Sequence, residues 1–573
     1  MTTDVKAAPK RTFLQTLALF GDRRALVMMG LGFSSGLPYM LIFDTLSAWL
    51  REAGLSLSVI GLFSLATLSF SFKFLWAPLI DRVKVPGLNG LLGHRRAWIL
   101  VCQLVIILGL LGIAAVNPAA NLGLMALLAV AVGFTAATQD IVIDAWRIEI
   151  IDEEGQGALV VTIQWGYRLA MILAGAGPLI LATQFGWNMA YAAMAAAMVI
   201  GLSATLLAPR EREHTIRSIH TEDVRQSRPF ELGEWLVRLA IIAFGALLLG
   251  SGLSGDAGLL SKLFGGEALA EAWKAKPNGL WLQLAGVAAG LVVVVLAAWP
   301  IPGVRTKPGV YLSTALGEPL FQFTKRFSGV AGLILATICL YRVSDFVLNL
   351  MNPFYMDLGF SKLEIAEVRK LFGVVASMAG VFLGGVIVIR FGLMRALIIG
   401  AFAQPLSNLV FAWLAVTGHD MPALFIAIGV DNVASGIAGT ALISYMSSLT
   451  TAGFTATQYA LFSSLYALPG KLIASQTGRI VEGSAKAAEA GGPLAALKGL
   501  FNNLPPESLT GAGAKLGVSA QSMGAGYMAF FIYSAVIGIL AIALSFWVSI
   551  RQPRVMDAKA TDGSGTEAES APA

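Results

Sequence analysis

Fourteen apolar runs of about twenty residues shape this chain, and that is the length a helix needs to cross ~30 Å of hydrocarbon. They predict membrane-spanning helices over 25–50, 57–80, 97–116, 121–146, 157–182, 187–208, 236–254, 278–300, 328–350, 362–389, 395–417, 421–446, 455–480 and 522–550. The fold expected is an all-α polytopic membrane protein of 14 transmembrane helices. Composition agrees: 56% of the 573 residues are apolar and 13% charged, against about 25% charge in an average soluble protein.

The spacing of the runs predicts six helices, then two, then six. That divides the chain into an N-terminal segment 1–24, a first bundle 25–208, a central segment 209–327 with two extra helices, a second bundle 328–550 and a disordered tail 551–573. An even number of spans puts both termini on one side. Loops on that side carry 24 Lys and Arg and those on the other side 7, so the excess predicts cytoplasmic termini. The segment 481–521 is a long outward loop. The turn from Pro78 to Trp98 is echoed by Gly384 to Leu397, both glycine-containing and arginine-bearing. Such weak internal symmetry accompanies carriers built from two bundles around a central site.

Several function classes find no support. Cys102 and Cys339 fall inside spans, and His94, His214, His220 and His419 are scattered, so neither a disulfide framework nor a metal set is predicted. The formal charge of +6 sits in short loops and gives no reason to expect a nucleic-acid partner. The N-terminus lacks a signal-peptide pattern. No cofactor is expected.

Polar residues inside the spans are where function is expected. In TAATQDIVIDAWR, Asp140 and Asp144 are four apart, so a helix sets them on one face about 6 Å apart, with Gln139 beside them. Desolvation and mutual repulsion would make them titrate as a coupled pair able to carry protons. The other reading is a salt bridge with Arg82 or Arg95 that locks a gate, and Asp144 is the better placed for it. Lys73 either snorkels to the interface or meets an anionic group on a solute. Gln164, Tyr167 and Arg168 lie on the fifth span, with Arg168 nearly two turns inside. Its planar fork suits a carboxylate or phosphate, or braces two helices.

In the second half, Arg342 and Asp345 are three apart, so they neutralise one another or contact solute. Asp431 and Asn432 open VDNVASGIAGTAL, whose small residues also suit close helix packing. Gln458, Tyr459 and Lys471 polarise the thirteenth span as solute contacts. Gly32, Gly36 and Pro38 break up the first span, where Gly36 and Pro38 are gating candidates; Asp44 lies further along it.

These motifs resemble the AmpG-type muropeptide permeases of the major facilitator superfamily. GFSSGLP at Gly32–Pro38 and TLSAW at Thr45–Trp49 are similar to that family's opening motif. KFLWAPLIDR at Lys73–Arg82 and RRAW at Arg95–Trp98 resemble its second-span exit, placing Asp81, Arg82, Arg95 and Arg96 among the gating residues. ATQDIVIDAW, GYRLAM and TATQYALFSSL add matches in both halves. The resemblance implies the major facilitator fold and proton-driven import of GlcNAc-anhydro-MurNAc peptides from periplasm to cytoplasm. Its expected partners are an amphiphilic sugar-peptide, protons and membrane lipid, with the chain acting as a monomer in the bacterial inner membrane. Carriage of another anionic solute such as acetyl-CoA, drug efflux and a membrane-embedded enzyme are the alternatives, the last without any catalytic constellation to support it.

Overall fold

A computed structural model describes residues 18–54, 69–118, 120–152, 155–211, 227–254, 257–264, 266–275, 279–299, 304–346, 351–474 and 477–568. Among these every regular element is helical. The chain enters the first bundle at Asp22, whose carboxylate accepts the Arg24 backbone N–H at 2.7 Å. The Arg24 side chain beside it holds that carboxyl below its ordinary range. The first expected span is divided into α1 (Arg23–Met40), a π-helical turn over Leu41–Thr45 and α2 (Leu46–Glu52). The first half of the second, 57–68, lies outside the described residues; its exit is α3 (Ala77–Arg82). Then come α4 (His94–Ala115), α5 (Leu122–Ile150), α6 (Gln156–Ala197) and α7 (Val199–Leu207). Helix α6 carries the fifth expected span and half of the sixth, broken at Gly186. With φ 80° and ψ 161°, Gly186 occupies backbone space that a side chain would strain.

Two helices, α8 (Arg228–Ser254) and α9 (Gly279–Ala298), pack against each other as the central pair. The connection that follows is itself helical. It contains the short helix α10 (Glu318–Arg326), and the segment Lys307–Arg326 meets Ala331–Asp345 at 108°. The second bundle holds α11 (Ala331–Leu340), α12 (Gly373–Phe391), α13 (Leu393–Thr417), α14 (Met421–Ser448), α15 (Thr455–Ala474), α16 (Thr477–Glu489) and α17 (Ala520–Ala568). Helix α17 runs past its expected end into the segment read as a disordered tail, where Met556, Ala558, Lys559 and Ala560 are good helix formers.

Among the described residues nine helices are long and apolar enough to cross a membrane, ten if the bent pair is one span. The expected fourteen are therefore not matched one for one. Gln156–Leu207 accounts for two expected spans, the first is divided by its π-helical turn, and parts of the second and thirteenth lie outside the described residues.

Large apolar side chains such as Leu108, Leu127, Phe185 and Val536 cover the outside, as a lipid-facing surface requires. Between helices the contacts are made by small residues. A Cβ on Gly32 would lie 2.1 Å from the Ile163 carbonyl oxygen, and one on Gly166 only 1.9 Å from that of Met29. Helices α1 and α6 thus touch backbone to backbone. The segment 481–521, expected to be a long loop, packs onto the second bundle: Phe501 and Leu509 are buried with Phe354, Phe411 and Phe530.

Candidate functional site

The halves meet along two seams. On one, the Trp165 indole N–H of α6 donates to the Met378 carbonyl at 3.0 Å, and Gln164 Nε2 donates to Thr440 Oγ1 at 3.2 Å. On the other, α15 lies against α3 and α5, and its Ala456 and Ala460 are buried with Ala145 and Trp146 of the first bundle.

At the terminus-bearing end the second seam is shut by charge. Asp81 of α3 accepts the Ala456 N–H at 3.2 Å, the Thr457 N–H at 2.9 Å and the Thr457 hydroxyl at 2.7 Å. A carboxylate from one half therefore caps the first turn of a helix in the other, where free N–H groups and the helix dipole favour an anion. Arg95 Nη2 holds Asp81 at 2.7 Å and Glu149 at 2.7 Å, with Arg95 wholly buried. Arg82 pairs with Glu318 at 3.3 Å. Arg147, also fully buried, donates to Ser447 Oγ at 3.0 Å and lies 5.3 Å above the Tyr459 ring. Asp144 pairs with this Arg147 at 3.4 Å. Its partner is thus on its own helix, one turn away, rather than Arg82 or Arg95, which are engaged elsewhere.

Just inside this closure lies a cavity of about 170 Å³, bounded by Ser35, Asp140, Asp144, Gln164, Tyr167 and Tyr459 together with isoleucines of both halves. Asp140 takes the Ser35 hydroxyl as its hydrogen-bond donor. The buried Lys73 attracts the Asp140 carboxylate, while Asp144 repels it. Arg168 follows Tyr167 on α6. Among the described residues it has no hydrogen bond or ion pair, and the positive charge it feels most strongly is that of Arg342 in the other half. Arg342 is bound to Asp345 and donates to Ser435 Oγ at 2.6 Å. Charges from opposite halves thus interact here: Arg342 is attracted by Asp345 and Asp431, and it repels Arg168.

Other predicted residues brace helices. Gln139 is fully buried and donates to the Ser34 carbonyl at 3.0 Å. Gln458 donates to the Pro319 carbonyl at 2.9 Å and accepts the Thr451 N–H at 2.7 Å. Asn432 donates to the carbonyl of Ile428 on its own helix. Arg96 bonds the Leu92 and Ala208 carbonyls. Gly36 packs against Tyr167, whose carbonyl oxygen a Cβ there would approach to 2.6 Å, and Pro38 is buried within α1. Asp44 is exposed, and the Lys471 side chain lies outside the described residues. Ser35, Thr440, Ser435 and Thr457 were not singled out from sequence. Only Ser35 carried a signal, its place inside GFSSGLP beside the glycines that let α1 approach α6.

Two helical bundles that meet along seams with a charged cavity between them are the arrangement of a secondary carrier. The sequence matches the Major Facilitator Superfamily over residues 25–473. It is 30% identical to AmpG 4 of Rickettsia conorii over 81% of this chain and 91% of that one. It is 30% identical to the anhydromuropeptide permease of Escherichia coli K12 over 82% of this chain and 76% of that one. The crystallised proton:xylose symporter XylE superposes with a TM-score of 0.51 at 11% identity, covering 91% of this chain and 95% of that one, and shares the fold alone. The chain belongs to the Major Facilitator Superfamily and, within it, to the AmpG-type permeases. It is a multi-pass membrane transporter rather than an enzyme.

Proposed function

We propose that this transporter imports GlcNAc-anhydro-MurNAc peptides from periplasm to cytoplasm by alternating access, driven by protons. The observation that carries the reading is one cavity bounded by both halves that holds Asp140, Gln164, Tyr167 and Tyr459, with Arg168 next in sequence to Tyr167 and under the charge of Arg342 from the other half. The name of the Escherichia coli relative supports the solute class. A sugar-peptide presents carboxylates for the guanidiniums and hydroxyls for Gln164, Tyr167 and Tyr459. At about 170 Å³ the cavity is smaller than the ~300–1,000 Å³ of drug-sized sites, so it takes one end of such a solute while the opposite end of the bundle remains to close. Asp140 takes the proton: once neutral it releases Lys73, which is then free to pair with the solute. The excess of basic residues in the loops on that side supports a cytoplasmic position for the shut end.

Vesicles carrying the purified chain test this directly. Labelled anhydromuropeptide should accumulate when the outside is acidified, stop accumulating with a protonophore, and fail to accumulate with Asp140→Asn although that variant inserts normally. Gradient-driven uptake that survives Asp140→Asn would remove this carboxylate from coupling. Uptake of labelled acetyl-CoA in place of the muropeptide would transfer the site to another anionic solute.

A further inference from the structure

The segment that leads from the central pair into the second bundle is tied to three parts of the molecule. It is α-helical over Lys307–Leu312, opens into a π-helical turn over Ser313–Gly317 and continues as α10. Its start is held by α8. Thr306 Oγ1 donates to Glu234 Oε1 at 2.6 Å, Lys307 pairs with Glu231 at 3.4 Å, and the Tyr311 ring stands edge-on to Trp235 at 5.7 Å. The buried Arg238 pairs with the same Glu234 at 2.7 Å and donates to the Trp299 carbonyl, just past α9, at 2.9 Å. Both helices of the central pair thus share the anchor.

The far end belongs to the second bundle. The Pro319 carbonyl accepts Gln458 Nε2 of α15 at 2.9 Å, and Arg326 Nη1 donates to the Thr450 carbonyl at 2.8 Å. Phe323 and Phe327 are buried with Phe462 of α15.

Between these anchors the segment meets the first bundle. Arg82, the last residue of α3, pairs with Glu318 at 3.3 Å, and its Nη2 reaches the Thr314 carbonyl of the π turn at 3.5 Å. Such turns are frequent at functional sites. The preceding residue, Asp81, caps α15. Two consecutive residues of α3 therefore grip the other half, one directly and one through this strut.

When the shut end opens, α3 and α15 must part. Aromatic packing and the Gln458 bond keep the strut with α15, so the Arg82–Glu318 pair is the contact that breaks. It suits a reversible release. Glu318 is 29% exposed and already meets water, and a pair of that kind contributes modestly instead of locking the fold.

We propose that Glu318 is a positioning residue of the gate: by holding Arg82 to the strut it keeps the terminus-bearing end shut, and the two central helices serve to anchor that strut. The inference rests on the alternating-access part of the reading above and not on its solute.

The test uses the full chain in lipid nanodiscs without solute. Cys102 and Cys339 are replaced by alanine, and Ala460→Cys reports on the cross-half core. Glu318→Gln keeps the shape of the side chain and removes its charge, and should speed labelling by a membrane-impermeant thiol reagent about fivefold. Arg82→Gln should also speed it, and the double variant should label no faster than the faster single, because the pair acts as one unit. Labelling of Glu318→Gln at the parent rate, or single effects that multiply in the double variant, would overturn the proposal. Should Arg82→Gln fail to fold, salt takes its place. NaCl should speed labelling of the parent by screening the pair and leave Glu318→Gln unchanged; equal salt responses would overturn the proposal. Asp81→Ala separates the two levels. Labelling that Asp81→Ala speeds and Glu318→Gln does not refutes this latch alone, whereas labelling that neither speeds refutes opening at this end as well.

Discussion

A half-buried guanidinium facing another guanidinium is poorly placed unless an anion comes between them. Arg168 is in that position, with Arg342 as its strongest charged neighbour and, among the described residues, no carboxylate partner. Hydrogen bonds to charged groups are worth about 1.5–3 kcal/mol, so Arg168→Ala should raise the half-saturating muropeptide concentration roughly 10- to 100-fold. Arg168→Lys keeps the charge and loses the planar fork, and should cost less. Uptake kinetics on the two variants decide it: equal losses would reduce Arg168 to packing. The residue types in IQWGYRLAM were enough to nominate this arginine. Its lack of a partner was not legible, because partners are chosen by helices hundreds of residues away.

Among the elements, α1 and α6 rely on the absence of side chains. A Cβ on Gly166 would sit 1.9 Å from a carbonyl oxygen that cannot rotate away. Gly166→Ala must therefore push two helices apart, at a cost of about 1–3 kcal/mol, the usual range for overpacking. A lowered thermal midpoint is the expected result, and an unchanged one would mean the two backbones do not touch. The outward loop has a different kind of anchor. The Ser519 hydroxyl donates to Glu489 at 2.6 Å and the Ser519 N–H at 3.1 Å, with Lys498 3.4 Å away. These bonds, the Ser519 hydroxyl first among them, lower the Glu489 carboxyl from 4.5 to about 2. A depressed carboxyl contributes stability above its unfolded value and loses it as pH falls through the folded one. The anchor should hold above about pH 4.5 and weaken between there and about pH 2. Amide exchange at Ser519 should accelerate over that window in the parent chain and be fast at all pH values in Glu489→Gln.

At the scale of the whole molecule, the shut end depends on contacts that cross between halves. Asp81 reaches the first turn of α15 and also answers the charge of Arg95. Removing one member of a buried ion pair costs about 3–5 kcal/mol, here softened because Arg95 keeps Glu149. Asp81→Ala should shift the population toward states open at this end. A cysteine at Ala460, buried in the cross-half core, should then react with a membrane-impermeant thiol reagent at least about fivefold faster, since 1 kcal/mol changes a population by about that factor. An unaltered labelling rate would show that the seam does not depend on the cap. Because the two bundles meet through such local clasps and a small cavity, opening one end need not disturb the cores within each half.

What the sequence determined alone was where the helices run and which of their residues are out of place in lipid. Hydrophobic length is a local property, so α4, α5, α13 and α14 begin and end within a few residues of where the apolar runs placed them. The same logic exposed Asp140, Arg168 and Arg342 as residues needing a reason. It could not tell Gln139 and Gln458, which hold helices together, from Gln164, which lines the cavity, because all three are amides in apolar runs. Nor could it foresee that the Lys307–Arg326 connection would turn by 108°, or that Asp81 would cap a helix some 375 residues away. Those outcomes depend on which faces of distant helices meet, and only the packed tertiary structure decides that.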